Sequence, residues 1–148
     1  MNNLKELAAL YRENLERVLA NTPDKGIELR SFPGGACEIS SIMLGHFLHG
    51  VGFKGVELVN ASRRYRDYAY ETESYSQEGH VWLIINSEII VDITADQFDD
   101  FDEPVCVVKK SDFHSKFTEN FRKDVKDELL TYPYGNIFKE VKCQIANT

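Results

Sequence analysis

Apolar residues recur at helical spacing at the start of the chain: Leu4, Leu7, Ala8, Tyr11, Leu15, Val18 and Leu19. The pattern predicts an amphipathic helix over 3–20, broken by "NTPDKG". Beyond a Pro-Gly-Gly turn, Ile39, Ile42, Met43, His46 and Phe47 form one stripe of a second helix, and Leu44 and Leu48 cover another side. A helix apolar on nearly every face belongs at the centre of a domain. At about 100° per residue, Cys37 lies roughly opposite the main stripe, beside Ser41, Leu44 and Leu48.

After "HGVGFKG" the pattern turns to β. "VELVNA" reads as a short strand, and "RRYRDYAYETESYSQ" as an exposed strand and loop with interleaved tyrosines. "HVWLII" and "EIIVDI" are aliphatic runs joined at Asn86-Ser87, a hairpin signal; apolar residues on both faces predict a sheet covered on two sides. "VCVVKK", 105–110, is a further strand. Phe113, Phe117, Phe121 and Val125 recur every four residues and predict an amphipathic helix ending near Leu130. "YPYGN" reads as a turn, and 137–146 carry no clear assignment. Helix, helix, strands, helix is the order of an α+β domain.

One such domain accounts for residues 1–148. The composition, 43% apolar and 28% charged, is that of a folded globular chain. A net charge of −7 argues against nucleic acid and against anionic membrane surfaces as partners. No window approaches the roughly 18 uncharged apolar residues of a membrane span, and the acidic N-terminal stretch does not read as a signal peptide. Cys37, Cys106 and Cys143 are widely spaced, without a CxxC pair. That disfavours a disulfide scaffold or cysteine-rich zinc site and makes the reducing cytoplasm the expected compartment.

Cys37, His80 and Asp92 stand at element boundaries. A thiol becomes a good nucleophile when ionised, which the positive end of a helix and a neighbouring imidazolium both favour. Cys37 opens a helix, and the glycines before it allow backbone N–H groups to face a reacting carbonyl. His80 opens a strand as a base, and Asp92 on the returning strand can orient it. Parity decides whether they meet. A regular two-residue Asn86-Ser87 loop sets His80 opposite Ile93, with Asp92 on the wrong face; a three-residue loop, Ile85 to Ser87, or a bulge restores the match.

Cysteine at a helix N-terminus, then His and Asp on successive strands, resembles the papain-like and transglutaminase-like superfamily. "FPGGACEISSIML", "GHVWLIINSEIIVDITADQF" and "PVCVVKKSDFHSKF" also resemble a group of small, mostly uncharacterised bacterial proteins, over roughly 32–117. The resemblance implies a papain/transglutaminase-like fold, with the Cys-bearing helix packed on an antiparallel sheet. It further implies attack on an acyl carbon through a thioester, with Cys37 as nucleophile, His80 as general base and Asp92 as its orienting partner. Papain-like peptidases carry an oxyanion-hole Gln where this chain has Ser31. Asp, in place of papain's Asn, points to the transglutaminase and deaminase branches. The implied reaction needs no cofactor and no metal, and its substrate is a protein or peptide amide. Peptidase, deaminase and transglutaminase chemistry all remain open, as does the oligomeric state.

Ser31, Gly35, Trp82 and Gln97 are candidate substrate-binding or oxyanion residues, though a loop hydrogen bond also accounts for Gln97, and Thr94 shares that ambiguity. His114 is a rival base whose place before a helix fits a cap or packing role better. His46 reads as a satisfied core histidine and His49 as a helix-end cation. "DQFDDFDEP" lacks the glycine and spacing of a calcium loop and reads as a solvated acidic loop. "RRYRDYAY" fits the wall of a groove beside His80 better than a nucleic-acid surface. The competing functions are a binding or immunity-type module that keeps the fold without activity, and a zinc-dependent hydrolase using Cys37, His80 and Asp92.

Overall fold

The first amphipathic stretch forms α1 (Asn2–Ala20), burying Leu4, Ala8, Tyr11, Leu15, Val18 and Leu19. A computed structural model describes residues 2–67 and 74–147. The second helix, α2 (Cys37–Gly50), begins at Cys37 and is buried from Ser40 through Leu48 apart from His46, as its continuous apolar surface requires. His46 is half-buried and its Nε2 meets the Glu128 carbonyl at 2.7 Å. His49 is exposed at the helix end.

Five strands form one antiparallel sheet in the order β4-β3-β2-β1-β5. β1 (Val56–Asp67) and β2 (Ser74–Ile85) pair along their whole lengths, so "VELVNA" is the start of a longer strand than its apolar run suggests. Residues 68–73, within the tyrosine-rich stretch, lie outside the described residues. β3 (Ile89–Asp92) pairs with β2 and with β4 (Cys106–Val108), which occupies only the middle of the expected 105–110 strand. The architecture is α+β.

The sheet has two apolar faces. Leu58, Val81, Leu83, Ile85, Val91 and Val107 lie in the larger core with residues of α1, α2 and α4 (Tyr134–Ala146), and α2 packs on β2 and β1. Val59, Ala61, Trp82 and Ile84 join Phe113 and Phe117 in a second, aromatic cluster on the other face.

The helix expected over 113–130 is not there. A single turn, α3 (Asp112–Ser115), leads into β5 (Thr118–Asp124), which pairs with β1 at the sheet edge, and a 3-10 turn follows at Val125–Asp127. A four-residue spacing is also a multiple of the strand's two-residue repeat, so the phenylalanines did not discriminate. Glu119, Arg122 and Lys123 are exposed along the strand, in keeping with the charged edges that keep sheets from pairing further. Conversely, the unassigned 137–146 belong to α4, which starts inside "YPYGN" after Pro133 and packs on α1 through a face that includes Ile137 and Val141.

Arg12 fastens α1 to the loop after β3. Its Nη1 donates to the carbonyls of Ile93 (2.9 Å) and Pro104 (2.8 Å) and to Asp96 (2.7 Å), and its Nε to Glu16 (2.7 Å). The guanidinium also lies 5.1 Å from the centre of the Phe32 ring, tying in the turn before Cys37. Removing it strands two carbonyls and an acid. Arg12→Met is therefore expected to lower stability in urea by about 2–4 kcal/mol. Arg17→Met, which breaks only an exposed pair with Glu13 on the same helix, should change it by less than about 1 kcal/mol.

Candidate active site

β2 and β3 are joined by three residues, Asn86 to Glu88: Ile85 pairs with Ile89, Ile84 with Ile90 and Leu83 with Val91. Asn86 and Ser87 take φ of 53° and 54°, and the Glu88 N–H closes the loop on the Ile85 carbonyl at 3.0 Å. The loop is odd, as the His80–Asp92 match requires, but it sits one residue later than Ile85 to Ser87. Continuing the register sets Asp92 opposite Trp82, so His80 and Asp92 are diagonal neighbours on one face.

There the Nε2 of His80 lies 2.6 Å from Asp92 Oδ2. A second imidazole uses the same oxygen: His114 Nε2, from α3, stands 2.7 Å away. The other oxygen, Oδ1, accepts the Thr94 backbone N–H at 2.9 Å. His80 and Asp92 are each 1% exposed and His114 is 4% exposed. A carboxylate so deep needs this many donors. Burial opposes its charge, yet the charge of His80 and the hydrogen bonds from both rings hold Asp92 well below the usual carboxylate range. Burial likewise opposes a charged His80. The charge and hydrogen bond of Asp92 outweigh it, with Cys37 adding to both effects, and the His80 pKa is raised to about 9.

Cys37 lies close enough to the His80 ring to favour its charged form. His80 points to the aromatic face, whereas α2 covers the opposite one, but β2 and β3 stop pairing at Leu83–Val91. One turn along α2 from Cys37, Ser41 Oγ donates to the Val81 carbonyl at 3.3 Å, bringing this side of the helix to the strand beside His80. Cys37 is half-buried. The buried Nδ1 of His80 has no hydrogen-bond partner among the described residues. Ala36 caps α2 without a side-chain hydrogen bond, leaving first-turn N–H groups for a ligand.

The other candidates spread around this centre. Gly35 has φ of 68°, a conformation that favours glycine, and its N–H donates to Gln97 Oε1 at 3.3 Å. Gln97 Nε2 in turn donates to the Thr94 carbonyl at 3.0 Å, so the side chain joins the cysteine turn to the loop after Asp92. Ser31 is exposed, and its carbonyl closes the Pro-Gly-Gly turn onto Gly34 at 2.8 Å. Trp82 is buried, 5.5 Å from the His80 ring and 4.8 Å from His114. Cys106 pairs with Asp92 across β3 and β4; burial and the Asp92 charge push its thiol up to about 11, which disqualifies it as the nucleophile.

Phe98, Phe113 and Phe117 close over His80 with ring centres 4.9–6.2 Å away. Arg63 covers these rings, 4.6 Å from the Phe117 centre, and pairs with Glu78 and Asp100. Thus the first arginine of "RRYRDYAY" roofs the shell. The acidic loop is only partly solvated: Asp96 serves Arg12, and Asp100 serves Arg63 and Lys116. A cavity of about 460 Å³ lies farther along this face, with Val59, Trp82, Ile84, Ile90 and His114 in its wall.

His114 is the functional candidate that the sequence analysis set aside. Ser111 does cap its turn, yet the ring also reaches Asp92, 22 residues earlier in the chain. No local spacing announces that contact. Donor atoms of His80, Asp92 and His114 fall within 4.8 Å of one another, and the sequence analysis did not group them as a metal set. Both nitrogens sit directly on Oδ2 at hydrogen-bond lengths, so the present arrangement is a proton-sharing one.

No family model matches the chain, and neither a curated protein nor a solved structure matches it. Among the described residues, no helix is long and apolar enough to cross a membrane.

The two shifts act on stability from opposite sides. The Asp92 contribution is present above the ordinary carboxylate pKa of about 4 and is lost as pH falls below it. The His80 contribution is complete below about 6.5 and is lost as pH rises through about 9. Urea unfolding across pH should therefore show the largest gap between wild type and Asp92→Asn from about pH 4 to 6.5, narrowing on both flanks.

Proposed function

We propose that this protein is a cysteine-dependent acyl-transfer enzyme of papain/transglutaminase-like type, acting on an amide or ester of a protein or peptide. The supporting observations are the buried His80–Asp92 pair, an imidazole Nδ1 without a hydrogen-bond partner among the described residues, and Cys37 at the start of α2 near enough to favour the charged ring. A charged imidazole next to a sulfur at a helix N-terminus favours the thiolate.

In the first half-reaction, Cys37 Sγ bonds to the carbonyl carbon while uncapped N–H groups of α2 receive the developing oxyanion. His80 passes its proton to the departing nitrogen or oxygen, the C–N or C–O bond breaks, and a thioester remains. In the second, water or an amine attacks the thioester, His80 takes its proton, and Cys37 leaves as thiolate. Asp92 holds the ring throughout and stabilises its charged form. Neither half needs a cofactor.

Iodoacetamide near pH 6 separates an activated thiol from an ordinary one. Cys37 should be alkylated ahead of Cys143, although Cys143 is the more exposed, and His80→Gln should remove the preference. Equal labelling of the two would overturn the reading. With p-nitrophenyl acetate, mass spectrometry should find one acetyl group on Cys37 as p-nitrophenolate is released. Cys37→Ala should abolish that acetylation with an unchanged circular dichroism spectrum.

A further inference from the structure

We propose that His114 is a positioning residue for the cysteine site: Ser111 sets its tautomer so that its Nε2–H competes with His80 for Asp92 Oδ2. The inference rests on the acyl-transfer reading for its purpose, but not for its geometry. Ser111 Oγ accepts the His114 backbone N–H at 3.1 Å and lies 2.6 Å from the ring's Nδ1. With one backbone donor already received, the hydroxyl has its own proton to offer Nδ1. The ring hydrogen then resides on Nε2 and points at Asp92, 2.7 Å away. Trp82, Phe101 and Phe113 hold the imidazole in that orientation, with ring centres 4.8–6.3 Å from it.

One oxygen thus serves two donors. An acceptor that already receives a hydrogen bond carries less charge to hold a second proton. His114 therefore fixes the Asp92 carboxylate and moderates its grip on the His80 proton, leaving a base that can release that proton to a leaving group. Among the described residues, the titratable and charged groups around the pair are Cys37 from α2, Arg63 from β1, Cys106 from β4 and His114 from α3. Of these, Arg63 is engaged by Glu78 and Asp100. The role differs from the capping one, which uses only the hydroxyl of Ser111 and the backbone of His114.

Nitrogen-15 NMR of the full chain, without substrate, tests this. In the wild type, the neutral His114 ring should carry its hydrogen on Nε2. His114→Phe, which keeps a ring in the packing, should raise the His80 midpoint by about one pH unit, a tenfold gain in proton affinity. His114→Gln, which restores an N–H donor, should return it towards the wild-type value. Ser111→Ala should shift it in the same direction as Phe, by less. A ring hydrogen on His114 Nδ1, or an unmoved His80 midpoint in folded His114→Phe, would overturn the proposal. If His114→Phe does not fold, the tautomer and Ser111→Ala decide the matter, an unchanged midpoint in the latter counting against it. Shifts as expected without acetylation of Cys37 would refute acyl transfer and uphold the coupling. Acetylation with an unmoved midpoint would refute only the role of His114.

Discussion

A single buried carboxylate organises this protein's sheet. Asp92 is 1% exposed, and without partners a carboxyl group at that depth would ionise only at severe cost. It is accommodated because three elements deliver donors to it: β2 brings His80, α3 brings His114 and the turn after β3 brings the Thr94 N–H. Each delivery constrains the fold. The hairpin loop has three residues, β3 ends at Asp92, and α3 is a single turn that brings His114 to the aromatic face.

The same carboxylate determines the charge state of the site. Without it, burial among Phe98, Phe113 and Phe117 would favour a neutral His80; with it, the imidazolium persists to about pH 9. The aromatic shell therefore has two effects. It excludes water that would screen the His80–Asp92 attraction, and it presents ring faces to Arg63, whose charge is matched by Glu78 and Asp100. A second cation can thus sit above the shell while its field is spent largely on its own acids.

Much of this was legible in the sequence because it was written in local patterns. The helical stripes of α1 and α2, the hairpin runs and the odd parity demanded by His80 and Asp92 follow from side-chain periodicity alone. What escaped was long-range. A spacing of four does not separate helix from strand, and only the pairing of β5 with β1 resolved Phe121 in favour of the strand, with Phe117 in the bend just before it. Arg12 sits among the apolar residues of α1 as any surface arginine might, and apart from Glu16 its hydrogen-bond partners lie 81 to 92 residues away. His114 likewise shows a cap locally and a carboxylate partner only in three dimensions.

The two faces of the sheet make the final constraint. The imidazole belongs to the aromatic face and the cysteine helix to the other, an arrangement that a fully paired sheet would keep apart. β3 resolves this by leaving β2 after Leu83–Val91, and Ser41 of α2 takes the Val81 carbonyl. The helix start reaches the strand edge there, with the Gly35–Gln97–Thr94 link and Arg12 holding the surrounding loops together. Ser41 thus sets the first turns of the cysteine helix against the strand that carries His80.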